Sequence, residues 1–143
     1  EHKAAGHRTV LITGALDFAV KALEPLFDEI IAARLSVSPS GRYTGELAST
    51  PPTGETRAQL LADYCTAEGL LLEESVAYAD STSDLPLFEA VGFPVAVNPE
   101  TRLAALARKR GWLVEHWEKA PGGPRPRLPI GPAWREPRVK AGR

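Results

Sequence analysis

At 143 residues, 43% hydrophobic and 24% charged, the chain can bury one core of ordinary size and is neither disordered nor fibrous in composition. Its formal net charge of -1 gives no overall electrostatic case for nucleic acid as a partner. The apolar run Thr9-Val10-Leu11-Ile12 is too short to span a bilayer, and the first residues show no basic stretch ahead of a long apolar one. A single cysteine, Cys65, forbids an internal disulfide. It falls within an amphipathic helical pattern, so a buried inert thiol is the expectation, and a cytoplasmic setting is the default.

Charge is unevenly spread. Residues 120–143 hold six of the thirteen prolines and six basic side chains (Arg125, Arg127, Arg135, Arg138, Lys140, Arg143) against Glu136 alone. Two parts follow: a body, 1–119, and a Pro/Arg-rich tail, 120–143, whose proline spacing denies it a regular helix. Such a tail is expected to be a solvated terminus or a linker.

In chain order, Glu1 to His7 reads as the last turn of a helix closed by Gly6, and Thr9–Thr13 as a short apolar strand broken by Gly14. A helical pattern starts near Asp17, is interrupted at Pro25 and resumes through Phe27 and Ile30. Residues Ala32–Val37 and Tyr43–Leu47, joined by Ser38-Pro39-Ser40-Gly41, predict a hairpin. Thr53 or Gly54 opens a helix with Leu60, Leu61, Tyr64 and Cys65 on one face, ended by Gly69. Ser75–Ala79 is the next strand, Leu85–Val91 a helix and Pro94–Val97 a buried strand. Pro99 suits the first turn of a helix reaching about Arg110, and Trp112–Trp117 predicts a final edge strand. Strands alternating with helices in this way argue for an α/β fold, a parallel sheet covered by helices.

Three polar groups fall where strands end and helices begin, the place where open parallel sheets bind ligands. Thr13-Gly14 offers a hydroxyl and a glycine amide to an anion. A strand ending in Thr-Gly also opens many dinucleotide-binding domains, but Leu16, Asp17, Phe18 and Ala19 follow where the further glycines of that fingerprint belong. Gly54-Glu55-Thr56-Arg57 sets a cation at the start of a helix, able to reach back over the sheet edge, although a lone Arg there is more often a solvated helix residue. Asp80-Ser81-Thr82-Ser83-Asp84 sets two carboxylates four residues apart directly after a strand, hard oxygen donors of the kind that suit Mg²⁺. Their structural alternative is Asp80 as a turn residue with Ser83 or Asp84 as a helix N-cap.

The order of these groups, including Leu11-Ile12-Thr13-Gly14-Ala15-Leu16-Asp17 and Tyr78-Ala79-Asp80-Ser81-Thr82-Ser83-Asp84-Leu85-Pro86-Leu87, resembles the second, third and fourth motifs of the haloacid-dehalogenase superfamily. Within it, His7 to Trp112 is similar to the phosphoserine-phosphatase-like subfamily IB, to which Val95-Ala96-Val97-Asn98-Pro99 and Gly111-Trp112 add. Arg57 stands where that subfamily usually has lysine; the charge is kept but the fork is bulkier. Asp17, Asp28 and Asp63 lie in helical patterns and none has Asp-x-Asp spacing, so the family's first motif, which supplies its nucleophile and general acid, has no counterpart here.

The resemblance implies a Rossmann-like three-layer sandwich with a mainly parallel sheet, incomplete for want of its first strand, in a piece of a longer protein. It further implies a Mg²⁺-dependent phosphomonoester hydrolase working through an aspartyl-phosphate in the intact protein, with this chain alone inactive. In that picture Thr13 and Gly14 hold phosphoryl oxygens and Arg57 offsets phosphate charge. Asp80 ligates the metal, and Asp84 binds a metal water or orients Arg57. The expected partners are a small phosphomonoester and either a second copy of the chain or the missing N-terminal part, with no nucleic acid and no membrane span. The competing expectation is a non-catalytic module of the same fold, or a terminal domain of a multidomain lipid-metabolism enzyme.

Overall fold

A computed structural model describes residues 1–118; the Pro/Arg-rich tail lies outside the described residues. The chain opens with a 3-10 turn at Lys3–Ala5, closed by Gly6 at φ 78°, so the expected helix end is a single tight turn. Strand β1 (Val10–Leu16) follows, with α1 (Asp17–Val20) and a second 3-10 turn, Lys21–Leu26, after it. β1 runs past Thr13 to Leu16 because Gly14 and Ala15 bulge: Thr13 pairs with Ala32, yet Leu16 pairs with the very next residue, Ala33.

The helix expected to resume through Phe27 and Ile30 does not form. Pro25 lies inside the 3-10 turn, Phe27 is extended at φ -122°, and Glu29–Ala33 is strand β2, parallel to β1 with Leu11 opposite Ile30 and Ile12 opposite Ile31. Proline cannot pass on the helical ladder, and consecutive β-branched isoleucines fit a pleated surface better than a helix. The predicted first hairpin arm therefore divides at Arg34. Its front joins β2, and Leu35–Val37 (β3) pairs antiparallel with Tyr43–Leu47 (β4) around Gly41.

Asp28 fixes how β2 enters the sheet. Its carboxylate accepts from both the amide and the hydroxyl of Thr9, each at 2.7 Å, and these bonds hold it below the usual carboxylate range. A depressed acid stabilises the fold above its unfolded pKa of about 3.9 and ceases to do so as pH falls through the folded value. Asp28→Asn is accordingly expected to lower the thermal midpoint at pH 7, with the gap from wild type narrowing below about pH 4. A gap constant with pH in a thermal series would show that the charged form is not what matters.

Helix α2 (Gly54–Glu68) ends on Gly69 at φ 67°, whose amide returns to the carbonyls of Cys65 and Thr66. Of the predicted apolar face, Cys65 is buried and Leu61 packs on the core. Next come β5 (Val76–Ala79), a 3-10 turn at Thr82–Asp84, α3 (Leu85–Ala90), β6 (Phe93–Val97), α4 (Thr101–Arg110) and β7 (Leu113–Glu115). Pro99 stands outside α4, whose N-cap is Glu100. Asn98, at φ 43°, precedes it and exchanges two 3.0 Å hydrogen bonds with the backbone of Trp117. Asparagine tolerates that left-handed conformation, which a β-branched residue would resist.

The expected mainly parallel α/β architecture is present in two pieces, β1-β2 and β5-β6-β7. Ala77, Leu87, Phe88, Ala96, Leu103 and Ala107 form the core beneath α3 and α4, with Leu61, Ala79, Val91, Trp112 and Val114 against it. Ala77 and Ala96 on the strands and Ala107 on α4 are small, which lets the helices sit close to the sheet. Phe88 and Leu103 are essentially inaccessible, and burying each stabilises by about 1.5–3 kcal/mol. The opposite face of this sheet carries exposed Val76, Tyr78, Phe93 and Leu113. No helix among the described residues is long and apolar enough to cross a membrane.

Candidate active site

The three motifs found in the sequence meet at the carboxyl ends of β1 and β5. β1 delivers Gly14 against the start of α2 so tightly that a Cβ on it would come within 2.9 Å of Thr53 Cγ2. Gly54, the first residue of α2, has φ 51° and faces the carbonyl of Ser83. A residue with a side chain would be strained there. Thr13, at the bulge, turns its hydroxyl to accept from the amide of Ala15 at 3.1 Å, which fixes that oxygen beside the strand end.

Arg57 lies one turn into α2 and is the link between the groups. Its Nε donates to the carbonyl of Pro52 at 3.3 Å, and its Nη1 donates to Oδ1 of Asp84. Asp84 is the one buried charged residue among those described, at 4% exposure, and Arg57 is what balances it. Burial pushes the Arg57 guanidinium down from its ordinary value, while the charge of nearby Asp80 opposes that shift. A positive group thus sits between two carboxylates, one buried and hydrogen-bonded to it, the other exposed at the end of β5.

The Asp80–Asp84 loop is held by partners that the sequence reading missed. Ser81 caps the 3-10 turn, its hydroxyl accepting from the amide of Ser83 at 3.3 Å, while Asp84 stands at the expected N-cap of α3 but makes no side-chain bond to it. Glu100 accepts from the amide and hydroxyl of Thr82 at 2.8 and 2.6 Å, which keeps its carboxyl below the usual carboxylate range. An acid directly after Asn98-Pro99 was the available signal, and taking Pro99 as the first helical residue concealed it. Neither of two surface hollows, one bordered by Arg8 and Asp28 and the other by Phe88 and Trp112, includes a motif residue. The candidate site is instead the open sheet edge. No group of three or more His, Cys, Asp or Glu side chains able to hold a metal occurs among the described residues.

The family model for haloacid dehalogenase-like hydrolases matches residues 1–89. A histidinol-phosphatase of Neisseria meningitidis is 35% identical over 118 residues, covering 79% of this chain and 53% of that protein. A phosphoserine phosphatase of Mycobacterium tuberculosis is 33% identical over 120 residues, covering 83% of this chain and 39% of that one. A solved Bordetella pertussis structure superposes with a TM-score of 0.72 at 34% identity, covering 80% of this chain and 53% of that one. The architecture is an α/β domain with parallel sheets, and the chain belongs to the haloacid dehalogenase-like hydrolases. Its likeness within them is to phosphoserine phosphatases. It spans about half the length of the curated relatives it matches.

Proposed function

We propose that the chain carries the phosphate and metal side of a phosphomonoesterase active site, whose nucleophile comes from an Asp-x-Asp strand not present in these residues. The observation that carries this reading is that α2 brings Arg57 to the carboxyl ends of both β1, with Gly14, and β5, with Asp80, while Asp84 holds Arg57 in place. Thr13 and the Gly14 amide would receive phosphoryl oxygens. Arg57 would offset charge as it moves from the ester to the leaving oxygen, and such positioning and neutralisation supply most phosphoryl-transfer catalysis. The relatives named phosphoserine phosphatase and histidinol-phosphatase support a small phosphate ester as substrate.

Magnesium fits the donors in a limited way. Mg²⁺ is commonly held by one or two carboxylates, with water and substrate phosphate completing its shell. Exposed Asp80 suits direct ligation, while Asp84, already committed to Arg57 through Oδ1, suits a role through a metal water. When bound, the ion would neutralise charge on the phosphoryl oxygens.

The chain alone is expected to be inactive. Joined to its own upstream sequence, it should hydrolyse p-nitrophenyl phosphate in Mg²⁺, and Asp80→Asn should reduce that turnover by at least about 100-fold. Because Asp80 is exposed, its substitution should shift stability by no more than about 0.5 kcal/mol. Undiminished turnover in Asp80→Asn would remove the metal assignment. An upstream sequence without Asp-x-Asp, and a longer chain without activity, would favour a non-catalytic module of the same fold.

A further inference from the structure

We propose that Glu100 is a positioning residue that sets the Asp80–Asp84 loop for a divalent cation, an inference that rests on the metal role proposed for Asp80. An N-cap side chain ordinarily turns back to the first amides of its own helix. Glu100 makes no such bond in α4. Its carboxylate instead crosses to Thr82, accepting from both the amide and the hydroxyl. Its own amide donates to the carbonyl of Asp80 at 3.0 Å. One residue therefore holds the loop on both sides of Ser81.

The hold is referenced to the core. Leu103 and Ala107, on the same helix, are both at 0% exposure, so α4 cannot shift without disturbing the packing beneath β5 and β6. A strand-end carboxylate keeps a useful direction only if the backbone after it has one conformation; the 3-10 turn after Asp80 is anchored at its far end by buried Asp84 on Arg57 and at its near end by Glu100. Partners of this kind, which orient a ligand without touching the ion, typically change metal affinity by about 10–100-fold when removed.

The test is Mn²⁺ binding to the chain joined to its own upstream sequence, read from the electron paramagnetic resonance signal of free Mn²⁺, with circular dichroism and thermal melting on each variant. Glu100→Ala is expected to weaken binding at least about 10-fold. Glu100→Gln should stay within about threefold of wild type, since its amide oxygen can accept the same two bonds. Thr82→Val should also weaken binding, and Glu100→Ala combined with Thr82→Val should add little to Glu100→Ala alone. Unchanged affinity in a less stable Glu100→Ala would reduce Glu100 to a helix cap and overturn the proposal. Equal loss in Glu100→Gln and Glu100→Ala would overturn it in favour of simple charge. Failure of the underlying metal reading has a different signature, no Mn²⁺ uptake by wild type or undiminished uptake by Asp80→Asn, and it would carry this proposal down as well.

Discussion

Arg57→Ala is expected to destabilise the domain by about 3 kcal/mol, a loss out of proportion to one helix-surface arginine. The reason lies in Asp84, whose side chain is only 6% exposed and is paired with Arg57. Removing the cation strands a buried carboxylate, and the cost of breaking such a pair is mainly the desolvated charge left behind. Against a net stability of about 5–15 kcal/mol, that is a large fraction. Arg57→Lys keeps the charge and should recover most of the loss, although an ammonium cannot also provide the Nε bond to the Pro52 carbonyl. Adding Asp84→Asn to Arg57→Ala should restore stability by neutralising the stranded group, which makes the pair strongly non-additive in urea unfolding. On the proposed chemistry, turnover in the intact protein should fall sharply in Arg57→Ala and survive in Arg57→Lys. Additive effects of the two substitutions would show that the pair is not energetically coupled.

The same pair shows what the sequence could and could not disclose. Arg57 and Asp84 were both legible as candidates, since each lies at the opening of a helix after a strand. That one holds the other depends on α2 reaching the loop after β5, a tertiary fact with no local signal. Gly14 and Gly54 were legible as a strand breaker and a helix opener, but that a Cβ on Gly14 would meet Thr53 is again a tertiary fact with no local signal. The misread stretch is Phe27–Ile30. Apolar residues there satisfy a helical period over a short window, and a buried parallel strand gives the same pattern, so only the preceding proline and the β-branched pair Ile30-Ile31 argued for strand. For Glu100 the acid after Asn98-Pro99 marks at most a helix start; that its carboxylate reaches Thr82, 18 positions away, has no local signal.

The 143-residue chain in isolation is expected to associate, either with a second copy or with a segment that contributes a strand between β1 and β5. Among the described residues β1 pairs with β2 and β5 with β6, and no ladder joins β1 to β5. Each of these strands presents an edge, and exposed edges are templates for pairing. Beside the β5 edge lies an apolar face, with Val76, Tyr78, Phe93 and Leu113 all more than one-third exposed. The links across the interval are few. His2 bonds the Tyr78 hydroxyl at 2.8 Å and Lys3 reaches Asp28 at 3.5 Å, solvent-exposed polar contacts that contribute little, and beyond them the two sheets are bridged by α2, which touches β1 and packs on α3. A backbone group buried without a partner costs about 1–3 kcal/mol. A domain of marginal stability cannot bury several such groups, whereas a supplied strand would satisfy them and cover the apolar face together. Mass action then makes the thermal midpoint depend on concentration. Sedimentation equilibrium with melting across a hundredfold concentration range should show both association and a rising midpoint. A monomer that unfolds cooperatively, with a midpoint independent of concentration, would show that the N-terminal turn and α2 suffice to hold the two sheets and that no added strand is needed for stability.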